Sequence, residues 1–128
     1  MGRIAEWIAW TGSGSGVGSQ LPTSEADGEV VGVGGVAMSA WNRRAIVTGL
    51  FVSGEHRGRG VGAALVQALA DRARRERAHC LWLETQTANY PAVQFYRRVG
   101  FRLCGLDDRF YDPDVNPGDV ALFFALDL

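Results

Sequence analysis

Between Gly54 and Leu65 the chain reads GEHRGRGVGAAL, a stretch in which Gly58, Gly60 and Gly62 alternate with Arg57, Arg59 and Val61. Such a segment, followed at once by a helix, is suited to one task above all. The first turn of a helix leaves backbone N–H groups without partners inside the helix, and the macrodipole adds positive charge there. Glycines let a ligand approach the backbone, so the expected guest is an anion, a diphosphate satisfying several N–H groups at once. Taken alone, the same loop also reads as a glycine-rich turn with no ligand. Two phosphate sites are excluded by the residues present. A P-loop needs a lysine, and all 13 basic residues of this chain are arginine. The dinucleotide pattern GxGxxG is met only as Gly58, Gly60 and then Ala63, with no acidic residue in the right context downstream.

The elements that must hold this loop follow from the apolar patterning. EVVGVGGVAMSAW (29–41) and AIVTGLFV (45–52), joined by NRR, predict an antiparallel hairpin leading into the loop. A helix is expected over 61–79, with Val61, Leu65, Ala68, Leu69 and Ala73 in one apolar stripe and Asp71/Arg75 paired on a solvated face. CLWLET (80–85) predicts a buried strand, and NYPAVQFYRRVGF (89–101) a short helix with Pro91 in its first turn and Gly100 at its end. FRLCGL (101–106) and VALFFAL (120–126) predict two more strands, the second buried on both faces, around a turn-rich DPDVNPGD. From Gly28 the order is strand–strand–helix–strand–helix–strand–strand. That is an α/β (α+β) domain with a mixed sheet, formed by a right-handed parallel crossover flanked by antiparallel pairs. IAEWIAW is open between a strand and a helical turn, and residues 11–19 read as a glycine–serine linker. The division expected is a short segment 1–27 and a domain 28–128.

Composition limits the function classes. With 128 residues, 47% apolar and 21% charged, the chain predicts one soluble domain. No run approaches the roughly 20 apolar residues of a membrane span, and the start lacks a signal-peptide cleavage pattern; a cytoplasmic protein is expected. A net charge of −1 speaks against a dedicated nucleic-acid binder, although Arg72–Arg77 keeps a basic-helix reading on the page. Cys80 and Cys104 lie in apolar runs and read as small core residues. With His56 and His79 they form no metal-ligand spacing, so no metal is expected.

Three features in order then carry a resemblance. RGRGVG (57–62) fits the Arg/Gln-x-x-Gly-x-Gly/Ala motif of the GCN5-related N-acetyltransferases, LFVSGEHRG resembles the strand and turn leading into it, and NYPAVQFYRRVGF resembles the family's Asn…Ala…aromatic-Tyr…Gly-Phe helix. AWNRR, LWLETQTANYPAVQFYRRVGF, LCGLD, YD and ALFF further resemble the streptothricin (nourseothricin-type) acetyltransferase subgroup. Relative to these, the chain is expected to lack the usual N-terminal strand and helix pair. It also has Thr48, Gly49 and Phe51 where antibiotic-modifying relatives carry acids.

The resemblance implies direct transfer of acetyl from acetyl-CoA to an amine of a small molecule or peptide, with no metal. It places the pyrophosphate on the backbone amides of Arg57, Gly58, Arg59, Gly60, Val61 and Gly62. It pairs the pantetheine arm with the main chain of Leu50, Phe51 and Val52, puts the oxyanion on an N–H near Val52, and gives Asn89 a hydrogen bond to the arm. Tyr96 matches the tyrosine that faces the cofactor sulfur and protonates the departing thiolate; a plain core tyrosine is the alternative. An alkylamine of pKa about 10.4 must lose a proton before attack. Glu84 is the best-placed acid by sequence order, acting itself or through a water, with a structural role equally open; Asp107 and Asp108 are weaker candidates. A non-catalytic acyl-CoA-binding domain is the alternative function. A homodimer is expected, because a shortened sheet leaves apolar surface and a free edge.

Overall fold

The structure is a computed structural model; it describes residues 31–54 and 60–128, together with the backbone of 6–10 and 17–18. The described part groups into two compact units, Met1–Leu81 with Leu128, and Trp82–Asp127.

In the first unit, β1 (Glu6–Trp10), β2 (Val17–Gly18), β3 (Gly32–Ser39) and β4 (Arg44–Val52) pair antiparallel in the order β2-β1-β3-β4, and α1 (Val61–Arg75) packs against them. The hairpin expected from the Val- and Ile-rich runs is therefore present, turning at Ala40–Arg43 with Arg43 at φ 51°. A bulge leaves Thr48 unmatched, since Gly35 faces Gly49 while Val36 faces Val47. Helix α1 seats Leu65 and Leu69 in the core with no exposed surface, each contributing about 1.5–3 kcal/mol of burial. Val66 and Ala70 join the buried face, and Ala68 sits at its margin.

The close approach of α1 to β3 is a matter of missing side chains. A Cβ on Gly32 would lie 2.8 Å from Val61 Cγ1 and 2.9 Å from Leu65 Cδ1; one on Gly34 would lie 3.3 Å from Leu69 Cδ1. Val31, Val61 and Leu65 form the cluster beneath the helix start, with Leu50 and Val52 of β4 packed against it.

In the second unit, β5 (Cys80–Gln86, entering from the first unit), α2 (Tyr90–Arg98), β6 (Arg102–Asp107) and β7 (Ala121–Asp127) follow in chain order, with β7 between β5 and β6. Asn89 caps α2 by accepting the Ala92 N–H (3.4 Å), Pro91 lies in the first turn, and Gly100 takes φ 107° just past the end. Leu83, Phe101, Ala121, Phe124 and Ala125 are the buried apolar residues among those described in this unit.

The expected element order is observed, with five corrections. Glu6–Trp10 is a strand paired with β3 from Gly32 to Val36, so the expectation of a missing N-terminal strand does not hold; the open backbone edge of β3 is satisfied by pairing. The helix pair expected to be lacking, and the glycine–serine linker apart from Val17–Gly18, lie outside the described residues. Helix α1 ends at Arg75 rather than 79, because Arg77 turns left-handed (φ 66°). The Arg77 N–H then bonds to Arg74 O (3.0 Å) and the Ala78 N–H to Ala73 O (2.9 Å), a Schellman ending built without glycine. Its carboxylates pair as Asp71–Arg74 (3.0 Å) and Arg72–Glu76 (3.4 Å), in place of the expected Asp71/Arg75. Finally, Cys80 is buried as expected but Cys104 is exposed, and β7 is only partly buried at Leu122 and Phe123, since β6 is an edge strand.

Gly32→Ala is expected to lower the unfolding free energy by about 1–3 kcal/mol, because its methyl meets two side chains that are themselves fully packed. Gly54→Ala, whose Cβ meets nothing within 4 Å, is expected to stay within about 0.5 kcal/mol. Urea denaturation of the two variants checks the contrast.

Candidate active site

On the first unit the site feature is the start of α1. Gly60 is its N-cap in the left-handed conformation (φ 84°, ψ 3°), with no side-chain hydrogen bond capping the helix and no acidic residue in its first turn. The first intrahelical bond runs from Ala64 N–H to Gly60 O (3.0 Å). The N–H groups of Val61, Gly62 and Ala63 therefore precede the helical ladder and point out of its positive end. A Cβ at Gly60 or Gly54 would meet nothing within 4 Å, so the backbone here borders open space. These are the properties a diphosphate requires. Arg57, Gly58 and Arg59 lie outside the described residues, as does His56.

Leu50, Phe51 and Val52 pair in β4 with Gly34, Val33 and Gly32. Leu50 and Val52 turn toward the core while Phe51 is 68% exposed, the alternation of a strand with one packed face. The Ser53 N–H bonds to Val31 O (2.8 Å) and ends the pairing where the glycine loop begins.

The second unit holds the groups that can move protons. Strand β5 buries Leu83 and Thr85 and leaves Trp82, Glu84 and Gln86 on its other face, half-buried. Trp82 stacks on Phe123 (5.1 Å between centroids, 12°), Phe123 meets Phe110 edge-on (5.9 Å), and Phe110 meets Tyr111 edge-on (5.1 Å). The Tyr111 hydroxyl at the end of this ladder donates to Glu84 Oε2. Desolvation by burial pushes the Glu84 carboxyl above the usual 4.5, as a base acting near neutral pH requires.

Tyr96 sits on the other side of the same strands. Its ring meets Phe95 (5.4 Å) and Phe101 (5.5 Å) edge-on and Phe124 at 6.3 Å, whereas the ladder to Glu84 runs over Phe123, the neighbouring β7 residue. Burial raises the Tyr96 phenol above its usual 10.0, so it carries its proton at neutral pH. Asn89 spends its side-chain oxygen on the α2 cap. Asp107 accepts the Arg109 N–H (2.9 Å) in the β6–β7 turn, which accounts for it as a turn residue. Sequence reasoning assigned no role to Tyr111; it lies 27 residues from Glu84, and only the return of β7 brings the two together.

A hydroxyl donating to a carboxylate stabilises its charged form, so Tyr111→Phe is expected to raise the Glu84 pKa further. Carbon-detected NMR titration of Glu84 in both proteins checks the direction.

Comparison with known proteins accords with this geometry. The acetyltransferase (GNAT) family matches residues 4–101. The streptothricin acetyltransferase of Streptomyces lavendulae is 42% identical over 101 residues, which cover 79% of this chain and 53% of that protein. The chain spans about half the length of the curated relatives it matches. The crystal structure of nourseothricin acetyltransferase matches with a TM-score of 0.73 at 34% identity, covering 98% of this chain and 87% of that one. A Bacillus anthracis acetyltransferase solved in complex with acetyl coenzyme A matches with the same TM-score of 0.73 at 28% identity, over 78% of this chain and 57% of that one. With the family's match extending over most of its length, from β1 through α2, this chain belongs to the GNAT acetyltransferase family.

Proposed function

We propose that the protein is an N-acetyltransferase that moves the acetyl group of acetyl-CoA to a primary amine of a small molecule or peptide, by direct transfer in a ternary complex. One observation carries this reading: the second unit supplies two proton-handling groups of opposite character. Glu84 is a carboxylate with a raised pKa, and Tyr96 is a phenol kept neutral by burial. The α1 start supports the donor half of the reading, and the streptothricin acetyltransferase of Streptomyces lavendulae supports an amine as acceptor.

In this mechanism Glu84, directly or through a water, removes a proton from the protonated acceptor amine. The neutral nitrogen forms a bond to the thioester carbonyl carbon, and the resulting oxyanion rests on a backbone N–H near Val52. The oxyanion re-forms the carbonyl as the C–S bond breaks with its electron pair on sulfur. Tyr96 gives that sulfur its proton, and the nitrogen, cationic after the attack, releases a second proton that restores the Tyr96 phenol through solvent. Tyr111 is a positioning residue, acting through Glu84. The N–H groups of Gly60, Val61 and Gly62 hold the pyrophosphate together with Arg57, Gly58 and Arg59; the main chain of Leu50, Phe51 and Val52, with the Asn89 side chain, holds the pantetheine arm.

The test is thiol release from acetyl-CoA across a panel of amines: streptothricin, polyamines, aminoglycosides and peptide N-termini. Turnover on one class is expected, with kcat/KM rising with pH as Glu84 deprotonates, at a midpoint above 4.5. Tyr96→Phe is expected to lower kcat by about 10²–10⁴-fold, and Glu84→Gln to remove the acidic limb. Both variants should keep the thermal shift given by CoA. A CoA shift with no turnover on any amine would replace this reading with that of an acyl-CoA-binding domain.

A further inference from the structure

Among the described residues strand β6 is the edge of its sheet, and its exposed side chains follow an unusual pattern. Leu103 is 52% exposed and Leu106 61%, although both are apolar, and Cys104 between them is exposed as well. In a regular strand Leu103 and Leu106, three apart, would point to opposite faces. They do not here, because the register against β7 slips at Cys104. Leu103 faces Phe124 and Leu106 faces Leu122, which lie on one face of β7. Arg102 faces Ala125 and Asp107 faces Ala121, which lie on the other. The bulge thus sorts the strand into an apolar pair on one face and an oppositely charged pair on the other.

The resulting sequence, Arg102-Leu103-Cys104-Gly105-Leu106-Asp107, is complementary to itself when reversed. We propose that β6 is an interface at which a second copy of this chain pairs antiparallel, about a two-fold axis between Cys104 and Gly105. In that register Leu103 meets Leu106 of the second copy on one face, and Arg102 meets Asp107 of the second copy on the other. Each contact occurs twice, as a two-fold interface demands. Cross-strand apolar and opposite-charge pairs of this kind are the unit by which sheets are stabilised.

The bulge also selects the occupant. A bulged edge is ordinarily a device against pairing, because a straight strand falls out of register across the extra residue. A strand with its own bulge at the same place stays in register, and a second copy supplies one. The charged groups are compatible with this pairing. Arg102 holds Asp127 through Nε and Nη2 (3.4 and 3.3 Å), which leaves Nη1 outside that pair. The Arg109 N–H fixes Asp107 through Oδ1 alone.

Cys104 makes the axis directly testable, since in this register it lies opposite Gly105 of the second copy and next to the second Cys104, within reach of a disulfide. Cys80, the other cysteine, is buried. Analytical ultracentrifugation of the 128-residue chain over a concentration series is expected to show a monomer–dimer equilibrium. Mild oxidation with copper–phenanthroline is expected to trap a covalent dimer that Cys104→Ser abolishes. Arg102→Asp and Asp107→Arg are each expected to weaken self-association at least tenfold. Mixed one to one they should dimerise again, because both charge pairs re-form across the axis, a rescue that unfolded variants could not give. A chain monomeric at all concentrations, a dimer that oxidation does not trap, or charge variants that associate like the parent would each overturn the proposal.

Discussion

The approach of α1 to β3 is the constraint on which the rest of the first unit depends. Two glycines in one strand, Gly32 and Gly34, remove the side chains that would hold the helix away. Val61 and Leu65 fill that space, and because Val61 is also the first residue of α1, the same contact fixes where the helix begins. Gly60 must then turn left-handed to bring the chain into the helix, and the unpaired N–H groups emerge at a defined place. Packing and the open N–H groups at the helix start are thus two consequences of one close approach. The helix interior is secured by burial of Leu65 and Leu69, so its first turn needs no side-chain cap and keeps its backbone open.

The second unit solves a different problem, that of keeping a carboxylate partly out of water yet still ionisable. Desolvation by burial raises the Glu84 pKa toward neutral pH. The Tyr111 hydroxyl opposes this by donating to the carboxylate. It can do so because Trp82, Phe123 and Phe110 hold its ring in a continuous aromatic ladder. Tyr96 requires no such partner, since burial favours the neutral phenol. The same desolvation raises the pKa of both groups, and of the two Glu84 is the one given a hydrogen-bond donor.

The departures from expectation share a cause. Nothing local stops α1 before 79, since Glu76, Arg77, Ala78 and His79 are all residues a helix tolerates. It stops at Arg75 because the chain must turn toward β5, and the ending is held by contacts from afar: Arg43 Nη1 on Arg77 O (3.2 Å) and the His79 N–H on Arg43 O (2.9 Å). Cys104 looked like a core residue because its neighbours are apolar, but an edge strand has no partner to cover it. IAEWIAW was undecidable at seven residues, and became a strand because β3 had an edge to satisfy.

What the sequence determined by itself is local and repetitive: the order of the elements, the glycine-to-helix junction at 57–62, the stripe that buries α1, the Asn89 cap and Gly100 ending of α2, and with them the family. These are legible because hydrophobic period, capping chemistry and glycine's freedom act within a few residues of the chain. Tertiary structure decided the pairing of Glu84 with Tyr111, the placement of Tyr96 on the opposite face, and the slip at Cys104 that sorts the side chains of β6. Each depends on which strand lies beside which and in what register. That is settled by the total of buried surface and satisfied backbone groups over the whole sheet, a sum to which no short stretch of sequence holds the terms.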